Sequence, residues 1–158
     1  GRHSVCHPAG VDRGRPGYRL RGHTAEDVYR ASRLIKEGRM GLGIQTMLGL
    51  PGDSREKSLA TAEKVAGIGP DEVRIYPTLV IKDTALEAMY RQNRYTPLTL
   101  EEAVDICSEL LELYRKHNIK VIRMGLQPTE TISEGGDVVA GPFHPAFGQL
   151  VERVKAAK

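Results

Sequence analysis

The sequence predicts an α/β fold built on a parallel sheet, and three observations carry that expectation. Short apolar runs at residues 41–48, 72–81 and 119–126 alternate with stretches of helical spacing. Each connection is long enough for a crossover helix rather than a hairpin, which makes neighbouring strands parallel. The first run ends in the glycine turn Gly49-Leu50-Pro51-Gly52-Asp53, and parallel α/β folds collect function at the carboxyl ends of their strands. Residues 41–81 thus form a βαβ unit around which the rest is organised. The order fits either an open sheet or part of a barrel.

Composition narrows the class. The chain has 158 residues, of which 40% are hydrophobic and 27% charged. That is enough for one domain with a real core and too apolar for a disordered chain. A net charge of +3 does not demand a nucleic-acid partner. No run of about 18 apolar residues is present to span a membrane, and no charged-then-apolar start marks export. Cys6 and Cys107 do not make a disulfide framework. A cytoplasmic protein without membrane contact is expected.

Residues 1–20 have neither period and read as an irregular segment foreign to the domain that begins at residue 21. His3, Cys6 and His7 lie there, but their spacing is not that of a metal site and a closed zinc site needs four ligands. Thr24 opens the first helix, with Asp27 at capping-box spacing and Val28, Ala31, Leu34 and Ile35 as the apolar face. Gly38 is placed to end it in a left-handed turn. The second helix begins at Asp53 or Ser54, with Asp53 and Glu56 at capping spacing, and buries Leu59, Ala62, Val65 and Ala66. Gly67, Gly69 and Pro70 stop it. In the next strand Val73 and Ile75 point one way and Arg74 and Tyr76 the other. Pro77 has no amide donor, so regular pairing ends there.

Thr84 with Glu87 opens a short helix, and Thr99 with Glu102 opens a long one. On the long helix Ala103, Cys107, Leu110 and Tyr114 share a face, which makes Cys107 a small core residue. A third strand at residues 119–126 follows, then a polar loop at 127–141, and a last helix carrying Phe147, Leu150, Val151 and Val154. Three parallel strands and their flanking helices are therefore expected, with both sheet edges open.

Candidate chemistry gathers at the strand ends. The glycine turn lets backbone amides approach a ligand beside a helix start, although its spacing is neither a Walker loop nor a dinucleotide fingerprint. Arg74, Tyr76 and Lys82 lie along or past one strand, and Arg123 and Gln127 along the next. Such cations suit a carboxylate or phosphate. His144 reads as an acid–base group or, more blandly, a helix cap. Glu130, Glu134 and Asp137 read as a solvated loop. No catalytic triad can be named.

The stretch VRIYPTLVIKDTALEAMYRQNRYTPLT at residues 73–99 resembles the radical S-adenosylmethionine (SAM) domain of the Elongator catalytic-subunit type. Arg21-Gly22-His23-Thr24 and GIQTMLGLPGD at 43–53 look like matching parts of the same domain. GLQPT at 125–129 and AGPFHPAF at 140–147 are similar to short bacterial relatives without an acetyltransferase domain, often loosely labelled as oxygen-independent coproporphyrinogen oxidase-like. The resemblance implies a partial (β/α) barrel of radical SAM type. It implies S-adenosylmethionine bound to a 4Fe-4S cluster, and a 5′-deoxyadenosyl radical that abstracts a substrate hydrogen in tRNA or cofactor modification. Carried onto matching positions, Gln45, Gly49, Gly52, Arg74 and Tyr76 would contact the cofactor. Lys82, Arg123, Gln127 and His144 would face the substrate, with tRNA as a candidate partner. The family's C-x3-C-x2-C cluster motif is absent. Residues 21–158 are therefore expected to be the C-terminal half of the barrel, inactive alone, with the ligands in a missing N-terminal half. The alternative is a cluster-free α/β module binding a nucleotide or anionic metabolite at the Gly49–Asp53 turn.

Overall fold

In a computed structural model the described residues are 2–6, as backbone, and 23–133 and 135–156, with the side chain of residue 155 excepted. The strands are β1 (Arg2–Cys6), β2 (Gly41–Leu48), β3 (Glu72–Pro77), β4 (Val80–Ile81), β5 (Lys120–Met124) and β6 (Val138–Ala140). The helices are α1 (Ala25–Glu37), α2 (Arg55–Ile68), α3 (Ala85–Arg91), α4 (Leu100–Lys116) and α5 (Phe147–Ala156). The main sheet runs β1-β2-β3-β5, parallel throughout. Each new strand is added beside the last, and right-handed crossovers then put the connecting helices on one face. This one-way winding is that of a barrel wall rather than of a doubly wound sheet.

The three expected strands are β2, β3 and β5, and β1 adds a fourth. Residues 2–6 were read as irregular, yet they pair in parallel with β2 from Arg2↔Gly41 to Cys6↔Gln45. An edge strand takes its hydrogen bonds from its neighbour and needs no period of its own. Residues 7–20, and with them His7, lie outside the described residues, as do the side chains of His3 and Cys6.

Alternation along the strands sorts the two faces. Leu42, Ile44 and Leu48 of β2 and Val73 and Ile75 of β3 are buried under the helices. They meet Ala62 and Val65 of α2, Ala103, Cys107, Leu110 and Tyr114 of α4, and Phe147 and Val151 of α5 in one core. The helix layer is also clasped by ion pairs. Arg55 of α2 reaches Asp105 and Glu109 of α4, and Arg115 of α4 reaches Glu152 of α5. These partners are exposed or half-buried, so they tune the layer more than they hold it.

Helix starts follow the sequence closely, and Ser54 is the one of the two expected starts of α2 that the structure uses. Thr24 and Thr99 close complete capping boxes with Asp27 and Glu102, and Thr84 caps α3. Ser54, not Asp53, is the N-cap of α2, accepting from the Lys57 amide. On α1 the buried line is Val28 and Ser32, with Ile35 packed on the core. Leu34 is 58% exposed, because one helical step from Ile35 carries it off that line. Gly38 keeps a negative φ, and the left-handed residue is Arg39.

The cap carboxylates link this structure to pH. Hydrogen bonds from Thr24 and Thr99, backbone first, hold the Asp27 and Glu102 carboxyls below their ordinary range. A depressed carboxyl contributes stability above its unfolded value, 4.5 for Glu102, and loses it as pH falls through the folded value. Glu102→Gln is therefore expected to melt slightly below the parent at pH 7, with the gap narrowing as pH falls below 4.5. Thermal melts above and below that value check this.

Candidate functional site

The face of the sheet away from the helices carries the polar residues. Glu72, Arg74 and Tyr76 of β3 alternate with the core-facing set, as do Gln45 and Met47 of β2. Register lines them up. Gln45 stands opposite Arg74, Met47 opposite Tyr76, and Arg74 opposite Arg123 of β5. A row Gln45–Arg74–Arg123 therefore crosses three strands, with Tyr76 one step nearer the carboxyl ends.

Arg123 reaches that row only through an irregularity. Val73 pairs with Val121, but Arg74 pairs with Arg123, so Ile122 is the extra residue of a bulge. Bulges re-aim side chains in this way. Glu72 was not anticipated as a site residue. Its side chain is largely buried, and its carboxylate lies 3.7 Å from the Arg74 guanidinium. It therefore anchors Arg74, while Arg74 and Arg123 remain like charges on adjacent strands, an arrangement that favours an anion between them.

The glycine turn sits at the carboxyl end of β2, and its polar groups are largely used within the protein. The Gly49 amide donates to the Asp53 carboxylate at 2.8 Å, and the Tyr95 hydroxyl donates to the Gly49 carbonyl at 2.6 Å. The Asp53 carboxylate also accepts from the Ser54 amide and the Ser58 hydroxyl. The Lys57 ammonium donates to the Gly52 carbonyl at 2.6 Å. Gly49 has φ +76, and a Cβ there would lie 2.9 Å from Leu98. Burial, and secondarily the Asp53 charge, pushes the Tyr95 phenol up to about 12, so it stays a donor across the physiological range.

The substrate-side candidates are dispersed. Lys82 follows β4, which pairs antiparallel with β6, and its amide donates to Asp137 at 2.8 Å. That pairing gives the polar loop at 127–141 a strand that its sequence did not announce. Gln127 is exposed just past β5. His144 caps the start of α5, its Nδ1 accepting from the Ala146 amide at 3.0 Å. It lines a small apolar hollow with Pro77, Leu79, Gly125 and Phe147. The structure thus brings Gln45, Arg74, Tyr76 and Arg123 onto one face and leaves Lys82 and His144 in the strap beyond β3.

Comparison with known proteins identifies the family. Residues 70–155 match the family described as the Radical_SAM C-terminal domain. The chain belongs to that family. It is 36% identical over 91 residues to the tRNA uridine(34) acetyltransferase of Methanocaldococcus jannaschii, covering 56% of this chain and 17% of that protein. It is 27% identical over 96 residues to human Elongator complex protein 3, covering 59% of this chain and 18% of that one. The structure of Methanocaldococcus infernus Elp3 with an N-terminal deletion superposes with a TM-score of 0.75 at 28% identity, covering 87% of this chain and 32% of that one. The radical SAM resemblance and the α/β fold of parallel strands and flanking helices are thereby established, and this chain spans about a sixth of the length of these curated relatives.

The family's cofactors can be tested against these residues. A 4Fe-4S cluster needs several thiolates in one place. Among the described residues no three His, Cys, Asp or Glu side chains converge on a metal position. Cys107 is buried in the helix layer, and burial pushes its thiol up to about 12. The described residues do not fit the cluster. They fit S-adenosylmethionine better, because Gln45, Arg74 and Arg123 offer donors for a carboxylate on the helix-free face. In a Cys6→Ser background, Cys107 is expected to resist a thiol reagent in the native chain and react fully once unfolded. Dithionitrobenzoate titration with and without denaturant checks it. No described helix is long and apolar enough to cross a membrane.

Proposed function

We propose that residues 21–158 supply the later part of a radical SAM barrel, whose helix-free face contacts S-adenosylmethionine and substrate in an enzyme that modifies tRNA. The cross-strand row Gln45–Arg74–Arg123 carries this reading. Its register lines up a carboxamide and two guanidinium groups on the helix-free face, which supports a binding role for that face in a radical SAM protein. Gly49, Gly52 and Tyr76 complete the cofactor wall, and Lys82, Gln127 and His144 stand on the substrate side. The chain's own work is to bind and orient: Glu72 holds Arg74, and the Arg74–Arg123 pair draws an anion. Cluster ligands would have to come from residues other than those described. The tRNA substrate rests on the likeness to the tRNA uridine(34) acetyltransferase of Methanocaldococcus jannaschii.

The scarcity of cysteine, two in the whole sequence, favours a second reading, a cluster-free module that takes a nucleotide or anionic metabolite at the Gly49–Asp53 turn. Calorimetry with S-adenosylmethionine and with ADP separates the two. The first reading expects the sulfonium ligand to bind and ADP to bind at least tenfold more weakly, a difference of about 1.4 kcal/mol. Equal or tighter ADP binding sinks it in favour of the second. If the wall also meets tRNA, that affinity falls steeply with added salt.

A further inference from the structure

We propose that Tyr95 and Asp53 are positioning residues that set the conformation of the Gly49–Asp53 turn, and through it the reach of Leu50, Pro51 and Gly52 into the barrel mouth. The proposal rests on the cofactor reading above and adds residues to it. Gly49 is held at both of its polar groups, its amide by Asp53 and its carbonyl by Tyr95. The Asp53 amide in turn donates to the Leu50 carbonyl at 2.8 Å, which closes the turn on itself.

Tyr95 comes from a distant part of the chain. It lies 46 residues beyond Gly49, on the segment between α3 and α4, and is 7% exposed. Leu98 of the same segment occupies the space that a Gly49 side chain would need. From the other side, Thr78 donates through both its amide and its hydroxyl to the carbonyl of Leu48, the residue just before the turn. The turn is therefore built by tertiary contacts on two sides, and a left-handed glycine alone would leave it free to rearrange. A ligand reaching it meets its crest and the Cα face of Gly49, because the Gly49 amide and carbonyl are already committed. What the turn offers a ligand is thus decided by a buried tyrosine whose hydroxyl is spent on the turn's own backbone.

The test uses the 158-residue chain with Tyr95→Phe and Asp53→Asn, and Tyr29→Phe on the exposed side of α1 as a control. Hydrogen exchange at the Gly49 amide and the NMR shifts of the Leu50 and Gly52 amides report the turn. S-adenosylmethionine affinity, measured well below the melting temperature, reports its use. Both variants are expected to speed Gly49 exchange roughly tenfold, to move the crest amides, and to weaken S-adenosylmethionine binding by about the same factor; Tyr29→Phe changes none of these. Unchanged Gly49 exchange and crest shifts overturn the proposal. So does unchanged affinity in variants whose melting temperature has fallen, since a purely structural role gives that pattern. If the parent chain binds no S-adenosylmethionine while both variants loosen the turn, the positioning stands and the cofactor reading is what fails.

Discussion

Replacing Gly125 by alanine is expected to lower the melting temperature by roughly 10 °C, the consequence of a loss on the order of 3 kcal/mol. Two effects add. Gly125 has φ +80, where an L-residue costs about 1–2 kcal/mol. A Cβ there would lie 2.7 Å from the Phe147 Cβ, and overpacking of that kind costs about 1–3 kcal/mol. Relief is hard to find, because Phe147 starts α5 and is itself 2% exposed in the core. The Gly125 amide also donates to Ile75 at 3.0 Å, which ties the end of β5 to β3. Circular dichroism melts of the parent and variant decide it. A change within about 2 °C would mean that α5 does not close down on the strand end as described.

Arg74→Gln is expected to weaken S-adenosylmethionine binding by about 10- to 100-fold, the worth of a charge-assisted hydrogen bond. Arg123→Gln is expected to weaken it as well while leaving the melting temperature unchanged or slightly higher, because it relieves repulsion across the β3–β5 pair. Arg74→Gln carries a second cost, since the largely buried Glu72 carboxylate loses a partner. Affinity and stability thus move apart in Arg123→Gln and together in Arg74→Gln. Calorimetry beside thermal melts reads both. Affinities within twofold of the parent in both variants would remove the row from the site.

Much of this was legible in the chain. The Val73/Ile75 and Arg74/Tyr76 alternation reads directly as two faces, and Pro77 is the last residue of β3 as its missing donor requires. Three threonine caps and the Ala103–Cys107–Leu110–Tyr114 stripe follow from local rules. What escaped is what depends on a distant partner. The strand at Arg2–Cys6 exists through its neighbour. The bulge at Ile122 that turns Arg123 into line leaves no mark in IKVIRMGL, and β6 is a strand only because β4 is there to pair with it. Asp53 looks like a helix cap by spacing, whereas the fold uses it to brace Gly49. The role of Tyr95 has no local signal at all, since its acceptor lies 46 residues away.

The most direct test is an NMR titration of the labelled 158-residue chain with S-adenosylmethionine. The helix-free face is predicted to respond, with shifts at Gln45, Arg74, Tyr76 and Arg123 and quiet signals from the core of α2 and α4. Shifts confined to the helix layer, or none at millimolar ligand, would contradict the claim that this sheet is the cofactor wall of a radical SAM barrel.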